Sequence, residues 1–219
     1  MPACLPTLGG MRAFVVVAFV FALTLSGSLL AQAGAKQDSA GAAEAAASAG
    51  DGAAIRSVGE QPLDELFATL ADTADEARGK AAEEEIQRRW SDSGSATIAL
   101  LMEWAQQSLV AGDYGGALDF LDQVVMLKPL YVEGWNRRAT VHYLRDDYGK
   151  ALADLEKVLA LEPRHFGALA GIGLIFRDID RQAEALAAFE KALALDPYMD
   201  QTVKDAIRQL TPTVKGKEI

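Results

Sequence analysis

Three stretches of the chain repeat one pattern: ALDFLDQVVMLKP at 117–129, ALADLEKVLALEP at 151–163 and ALAAFEKALALDP at 185–197. Each stretch begins with Ala-Leu, carries a large apolar residue four positions after the alanine, and ends on proline. The interval from Pro129 to Pro163 equals the interval from Pro163 to Pro197. A fixed period of this length is the signature of an array in which one supersecondary unit is repeated.

Each unit divides into two predicted helices. Residues 132–144 place apolar side chains on one stripe, and the segment 146–149 (Asp-Asp-Tyr-Gly) interrupts it. Asp147 is predicted to cap the second helix, and Pro163 ends that helix because proline cannot continue it. Small residues stand where the paired helices must approach closely: Ala105, Ala139 and Gly173 on the first helices, and Ala117, Ala151 and Ala185 on the second.

A helix–turn–helix unit with this period and these columns resembles the tetratricopeptide repeat (TPR). The resemblance implies an all-α fold, an α-solenoid of antiparallel helix pairs wound as a right-handed superhelix. The repeats are predicted at 98–131, 132–165 and 166–199. Arg138 departs from the family pattern, which expects leucine there, and His142 stands where the family has an aromatic residue.

Amphipathic segments flank the array on both sides. A degenerate helix pair is predicted within 61–96, and one further helix over 200–212 that ends at Pro212. Because the ends of a solenoid expose half a core, both segments are predicted to be caps. Residues 213–219 are predicted to be a flexible tail.

Residues 1–33 have the composition of an export signal. Arg12 precedes the apolar run AFVVVAFVFALTL at 13–25, and Ala31-Gln32-Ala33 offers a small-x-small cleavage site. We expect cleavage after Ala33 and a periplasmic or secreted bacterial protein. The alternative is an uncleaved anchor in the inner membrane that faces the periplasm, since about 18 uncharged residues approach the thickness of a bilayer core. Residues 34–60, rich in Ala, Gly and Ser, are predicted to be a disordered linker.

Composition argues against several classes of function. The chain of 219 residues has a net charge of −10, which disfavours binding to nucleic acid. Cys4 is the one cysteine and lies in the leader, so it forms no intrachain disulfide and no multi-thiolate zinc site. His142 is predicted to be structural, and His165 to lie at the N-terminus of the following helix. No metal-ligand spacing, phosphate-binding glycine loop or G-x-S-x-G elbow is present in the sequence. We therefore predict no enzyme, no cofactor and no metal.

The resemblance also implies where a partner binds. TPR arrays bind extended peptides or partner helices on a concave face lined by the first helix of each repeat. The groove-facing positions correspond to Met102, Gln106, Leu109, Asn136, Thr140, Tyr143, Ala170, Leu174 and Arg177. Apolar side chains mixed with amides and a cation suit a peptide, whose backbone needs hydrogen bonds and whose side chains need small pockets.

The family's clamp for a terminal carboxylate is absent, because Met102 and Asn136 stand where lysine is expected. The predicted function is a non-catalytic interaction scaffold, expected to be a monomer, that acts outside the cytoplasm. The alternative is a membrane-anchored accessory subunit of an envelope assembly complex.

Overall fold

The structure, a computed structural model, describes residues 61–72 and 74–216. Within these ranges the chain forms nine helices and no strand, which confirms the all-α prediction. The predicted leader (1–33), the predicted linker (34–60) and residues 217–219 lie outside the described residues. The helices are α1 (Leu63–Ala71), α2 (Glu76–Ser91), α3 (Ala96–Val110), α4 (Tyr114–Leu127), α5 (Val132–Leu144), α6 (Tyr148–Leu161), α7 (Phe166–Asp178), α8 (Gln182–Leu195) and α9 (Gln201–Lys215).

Six of these helices form the repeated array. Helices α3 and α4, α5 and α6, and α7 and α8 pack as pairs, and each pair packs on the next through α4–α5 and α6–α7. The turn inside every pair contains one residue in the left-handed region, at the same position of each repeat. These residues are Gly112 (φ 76°), Asp146 (φ 59°) and Asp180 (φ 61°).

Small residues allow the paired helices to approach each other. All six alanine and glycine positions predicted for this role are buried. A Cβ atom added to Gly173 would lie 2.6 Å from the ring of Phe189, which is itself fully buried on α8. The close approach of α7 and α8 therefore depends on glycine at this position.

Asp147 stands at the N-cap of α6, as predicted, but its side chain accepts no hydrogen bond from the helix. The carboxylate lies instead 3.6 Å from Lys150 and 3.8 Å from Arg145. In the preceding repeat Asp113 does cap its helix, because its Oδ1 accepts from the backbone N–H of Gly116 at 2.9 Å. The capping prediction is therefore right for the position of Asp147 and wrong for its hydrogen bond.

Arg138 replaces an expected apolar contact with a network of ion pairs. Its guanidinium donates to both oxygens of the buried Asp154 on α6, at 2.7 and 2.8 Å. A third donor bonds Asp122 of α4 at 2.9 Å, and the guanidinium carbon lies 4.8 Å from the ring centroid of Trp135. Arg138 thus links the first and second repeats by hydrogen bonds at a position where the family pattern has leucine.

The N-terminal helix pair, α1 and α2, does not stack on the start of the solenoid. Trp90 of α2 stacks on His165 with ring centroids 4.2 Å apart, and the Tyr131 hydroxyl donates to the Ser91 carbonyl at 2.8 Å. The ring of Tyr198, which follows α8, occupies the space that a Cβ at Gly79 would fill. Helix α2 therefore runs along the junctions between repeats and does not stack as a cap on the first repeat. Aromatic residues at three successive junctions explain this position.

Helix α9 continues past the predicted end at Pro212 and reaches Lys215. Proline removes one backbone donor, but the Pro212 carbonyl still accepts from Gly216 N at 3.1 Å. The apolar stripe of α9, formed by Val203, Ala206 and Leu210, is buried, and the helix packs on α8. Among the residues that the structure describes, no helix combines the length and apolar character needed to span a membrane.

We predict that substitutions of Arg138 and Asp154 have strongly non-additive effects on the free energy of unfolding. The substitution Arg138→Leu leaves the Asp154 carboxylate buried without its partner, so the free energy of unfolding should fall by about 3–5 kcal/mol. The double variant with Asp154→Leu removes both charges and should return to within about 1 kcal/mol of the parent protein. Urea titrations followed by circular dichroism measure all four corners of the cycle. Additive losses in the double variant would contradict the prediction.

Candidate functional site

The first helices of the three repeats present the residues predicted to line a groove. Eight of the nine side chains are partly exposed: Met102, Gln106, Leu109, Asn136, Thr140, Tyr143, Leu174 and Arg177. Ala170 is fully buried, so its side chain offers no surface to a partner in this structure. We call the eight partly exposed residues the groove row.

A polar network joins the first two helices of the groove row. Arg137 donates to Glu133 at 2.6 Å and, across the helix boundary, to Gln106 of α3 at 2.9 Å. Glu133 also accepts from the Asn136 amide at 3.0 Å. The network fixes which faces of α3 and α5 lie side by side, and it places two amides of the groove row beside a buried ion pair.

The charge of Glu133 is maintained in spite of its burial. Burial alone would raise the pKa of this carboxyl group, but the positive charge of Arg137 and the nearby His165 ring lower it to about 2. The His165 Nε2 atom lies 3.9 Å from Glu133, which is too long for a hydrogen bond. The positive charge of Arg137 is therefore the main effect that offsets the burial of Glu133, and the pair remains ionised at neutral pH.

A second bond joins the last two helices of the groove row. The Tyr143 hydroxyl of α5 donates to Asp178 of α7 at 2.8 Å. Burial, reinforced by the bond to this carboxylate, raises the pKa of Tyr143 above its ordinary value, so the hydroxyl stays a donor. Arg177 lies 3.5 Å from the same carboxylate. The positive charge of Arg177, the one cation of the groove row, is thus partly neutralised by Asp178.

The apolar members of the row rest on the repeat cores. Met102 packs against two buried clusters, one within the first repeat and one that also includes Val141 of the second, and Leu109 packs against the latter. Glu133, Arg137 and Asp178 contact residues of the groove row, although the sequence did not single them out. The spacing of four residues between Glu133 and Arg137 was a visible signal for their pair. The contacts with Gln106 and Tyr143 had no local signal because they join different repeats.

Both histidines have structural roles. His165 is the N-cap of α7, where its Nδ1 accepts from the Ala168 backbone N–H at 3.0 Å, which confirms its predicted place. His142 is buried, and this burial lowers its pKa. Within residues 61–72 and 74–216, no cluster of histidine, cysteine and carboxylate side chains could hold a metal ion.

Helix α2 brings a carboxylate against the end of α8. Burial raises the pKa of Glu83 to about 7, and the nearby charges of Asp196 and Glu84 add to this rise. Burial also raises the pKa of Asp196 to about 6, in spite of the hydrogen bond that Asp196 accepts from Tyr198 N at 2.9 Å. The other Asp196 oxygen, Oδ2, is buried without a hydrogen bond. The contact between α2 and α8 is therefore disfavoured when both groups are ionised.

Two adjacent parts of the chain match the family model of the tetratricopeptide repeat, at residues 132–165 and 166–198. A TPR repeat-containing protein of Rhizobium etli is 46% identical over 85 residues, which are 39% of this chain and 42% of that protein. The chain therefore spans less than half the length of this relative.

Solved structures show the same fold. The first TPR of Spaghetti (RPAP3), bound to an HSP90 peptide, superposes with a TM-score of 0.52 at 19% identity, over 57% of this chain and 96% of that one. A mutant of the Thermobaculum terrenum O-GlcNAc transferase superposes with a TM-score of 0.50 at 19% identity, over 55% of this chain and 23% of that one. Together with the repeat matches, these likenesses confirm a solenoid of helix pairs.

We predict that Glu83 makes the stability of the protein depend on pH. The pKa of Glu83 is higher in the folded state than the ordinary value of 4.5. The protonated carboxyl group therefore stabilises the folded protein below pH 4.5, and this stabilisation is lost as the pH rises through about 7. The substitution Glu83→Gln should therefore leave the free energy of unfolding nearly unchanged at pH 4.5 and raise it at pH 8. Urea titrations at both values measure this difference.

Glu156 of α6 provides the control, because its side chain is exposed and it is not among the groups that act on Glu83. Glu156→Gln should change the free energy of unfolding equally at the two pH values. If the Glu83→Gln variant also followed the parent protein with a constant offset, the assigned role of Glu83 would be wrong.

Proposed function

We propose that this chain is a tetratricopeptide repeat protein and a non-catalytic scaffold that binds an extended segment of a partner protein along the groove row. One observation carries the proposal. Hydrogen bonds from Arg137 to Gln106 and from Tyr143 to Asp178 join α5 to α3 and to α7. These links between first helices support the proposal that the predicted residues form one surface across three repeats.

The chemistry of the groove row suits a peptide backbone with apolar side chains. Gln106, Asn136 and Thr140 offer amides and a hydroxyl, while Met102, Leu109 and Leu174 offer apolar contact. Because an extended peptide exposes its own N–H and C=O groups, a surface of this mixture satisfies both of its needs. The RPAP3 domain with its HSP90 peptide is a precedent for such a partner in a similar fold.

The partner segment differs from a peptide held by its terminal carboxylate. Arg137 is neutralised by Glu133, and Arg177 lies beside Asp178. Met102 and Asn136 stand where lysines would bind a carboxylate. We therefore propose an internal segment of a partner, held by backbone hydrogen bonds and apolar side chains.

The proposed action is binding without turnover. The sequence offers no nucleophile–base pair and no metal-ligand spacing, and the pKa shifts within the described residues belong to packing contacts and ion pairs. The likeness to the O-GlcNAc transferase covers 23% of that protein, so it does not argue for transferase activity in this chain. Affinity would come from burial of the apolar members of the row.

We propose further that the protein acts outside the cytoplasm of a bacterium, after removal of the leader that ends at Ala33. The support is the charge, the apolar run and the small-x-small site within residues 1–33. The alternative is a membrane-anchored subunit of an envelope assembly complex, in which the apolar run is retained.

We predict a mature N-terminus at Gly34. Intact mass and N-terminal peptide sequencing of the protein from fractionated bacterial cells measure this terminus and the compartment together. A chain that retains residues 1–33 in the membrane fraction would contradict export and support the anchored alternative.

We predict that partner capture depends on the groove row. A photo-crosslinking residue placed at Thr140 should give a crosslinked partner, and the same residue placed at the exposed Glu156 of α6 should give none. Adding Leu174→Ala and Met102→Ala to the Thr140 protein should reduce the product by about tenfold, because hot-spot residues carry most of the energy of an interface. Equal crosslinking from both positions would contradict the proposal.

A further inference from the structure

The first repeat exposes large apolar side chains on a side away from the groove row. Leu100 and Trp104 of α3 are 42% and 41% exposed, and Leu127 of α4 is 58% exposed. The Trp104 ring packs on the half-buried Phe120 of α4, with ring centroids 5.6 Å apart. Phe120 and Leu127 are two helical turns apart and lie on the same side of α4. We call Leu100, Trp104, Phe120 and Leu127 the α3 face.

The next repeat shows what covers this face inside the array. Gly134 and Arg138 occupy the positions of Leu100 and Trp104 in that repeat. The Val124 side chain of α4 lies so close to Gly134 that an added Cβ would meet it at 2.7 Å. Arg138 bonds Asp122, also on α4, at 2.9 Å. The second helix of the preceding repeat therefore covers these positions.

No described helix takes that place on α3. Helix α2, which precedes α3 in the chain, packs along Tyr131, His165 and Tyr198 at the repeat junctions. Within the part of the chain that the structure describes, the α3 face therefore lacks a helix equivalent to α4, which covers the same positions of α5. Its apolar residues have the arrangement of a helix-packing surface, and an amphipathic helix is the occupant that this geometry fits.

Charge decides the chemistry of that helix. The sequence from 90 to 127 contains no lysine, arginine or histidine. Glu103 on α3 and Asp119 on α4 are exposed, each next in sequence to an aromatic residue of the α3 face. The next cation along the chain, Lys128, donates to the Ser93 carbonyl. The surroundings of the α3 face are thus acidic, and a helix with basic residues beside its apolar stripe is complementary to them.

We propose that the α3 face binds a basic amphipathic α-helix of a partner protein, seated where the second helix of a preceding repeat would lie. This surface is separate from the groove row, because Leu100 and Trp104 lie on a different side of α3 from Met102 and Gln106. The two surfaces can therefore hold two segments at once, and this inference does not depend on the proposed function.

The test uses the full chain and two synthetic peptides. Both peptides have the same helical apolar stripe of leucine and alanine; one carries lysine and arginine at the flanking positions and the other carries glutamate. Fluorescence anisotropy should show saturable binding of the basic peptide that weakens as salt is raised, and at least about tenfold weaker binding of the acidic peptide. Equal binding of both peptides would overturn the proposal.

Variants then locate the binding. Leu100→Gln with Trp104→Gln should weaken binding of the basic peptide by about tenfold, as expected for the centre of an interface. Glu103→Lys with Asp119→Lys should weaken it without touching the apolar residues, so the test holds even if the first variant folds poorly.

Matched controls are Ile179→Gln, which changes another exposed apolar residue, and Glu156→Lys, which reverses another exposed charge. Both should bind the peptide as the parent protein does. The groove-row change Leu174→Ala should also leave this binding unchanged; a loss comparable to that of the Trp104 variant would place the peptide in the groove row and overturn the proposal.

Two further outcomes would assign the α3 face to a different occupant. A dimer in sedimentation equilibrium that the Trp104→Gln change dissociates would overturn the proposal in favour of a second copy of the chain. Crosslinks between residues 1–60 and the α3 face in the monomeric protein would overturn it in favour of the chain's own N-terminal segment.

Discussion

The close approach of the two helices in each repeat is the constraint on which the rest of the structure depends. Small residues at the helix crossings, Gly173 most clearly, leave room for large side chains such as Phe189. Because the same columns of small residues recur in each pair, each pair packs on the next through the same two helices, and the first helices come to lie side by side. The groove row follows from this arrangement, since its members are set only by their positions on those helices.

Polar links add specificity to this packing. Arg138 and Asp154 replace an apolar contact with ion pairs that also reach Asp122 in the preceding repeat. In a solenoid each repeat contacts only its neighbours, so such links couple neighbouring units. Helix α2 exceeds this nearest-neighbour pattern, because it contacts junction residues from Tyr131 to Tyr198. It therefore joins all three repeats, and partial unfolding of one repeat also costs contacts of α2.

Much of the fold could be predicted from the sequence because its information is local and repeated. The helix pairs, the buried small residues and the N-cap at His165 follow from patterns no longer than one repeat. The position of α2 could not be predicted, since the stacking of Trp90 on His165 joins residues far apart in the chain. The continuation of α9 past Pro212 also depends on packing, because burial of its apolar stripe holds a helix in which one backbone bond is lost.

In the candidate site, too, local positions could be predicted from the sequence and contacts between repeats could not. Its positions on the first helices could be predicted, whereas the bonds from Arg137 to Gln106 and from Tyr143 to Asp178 join different repeats. The ion pairs of Arg137 and Arg177 neutralise much of the charge along the groove row, while the α3 face lies among the carboxylates of a segment without cations. Helix α3 contributes to both surfaces. Its two sides differ in charge, so under the two proposals each would select a different partner chemistry.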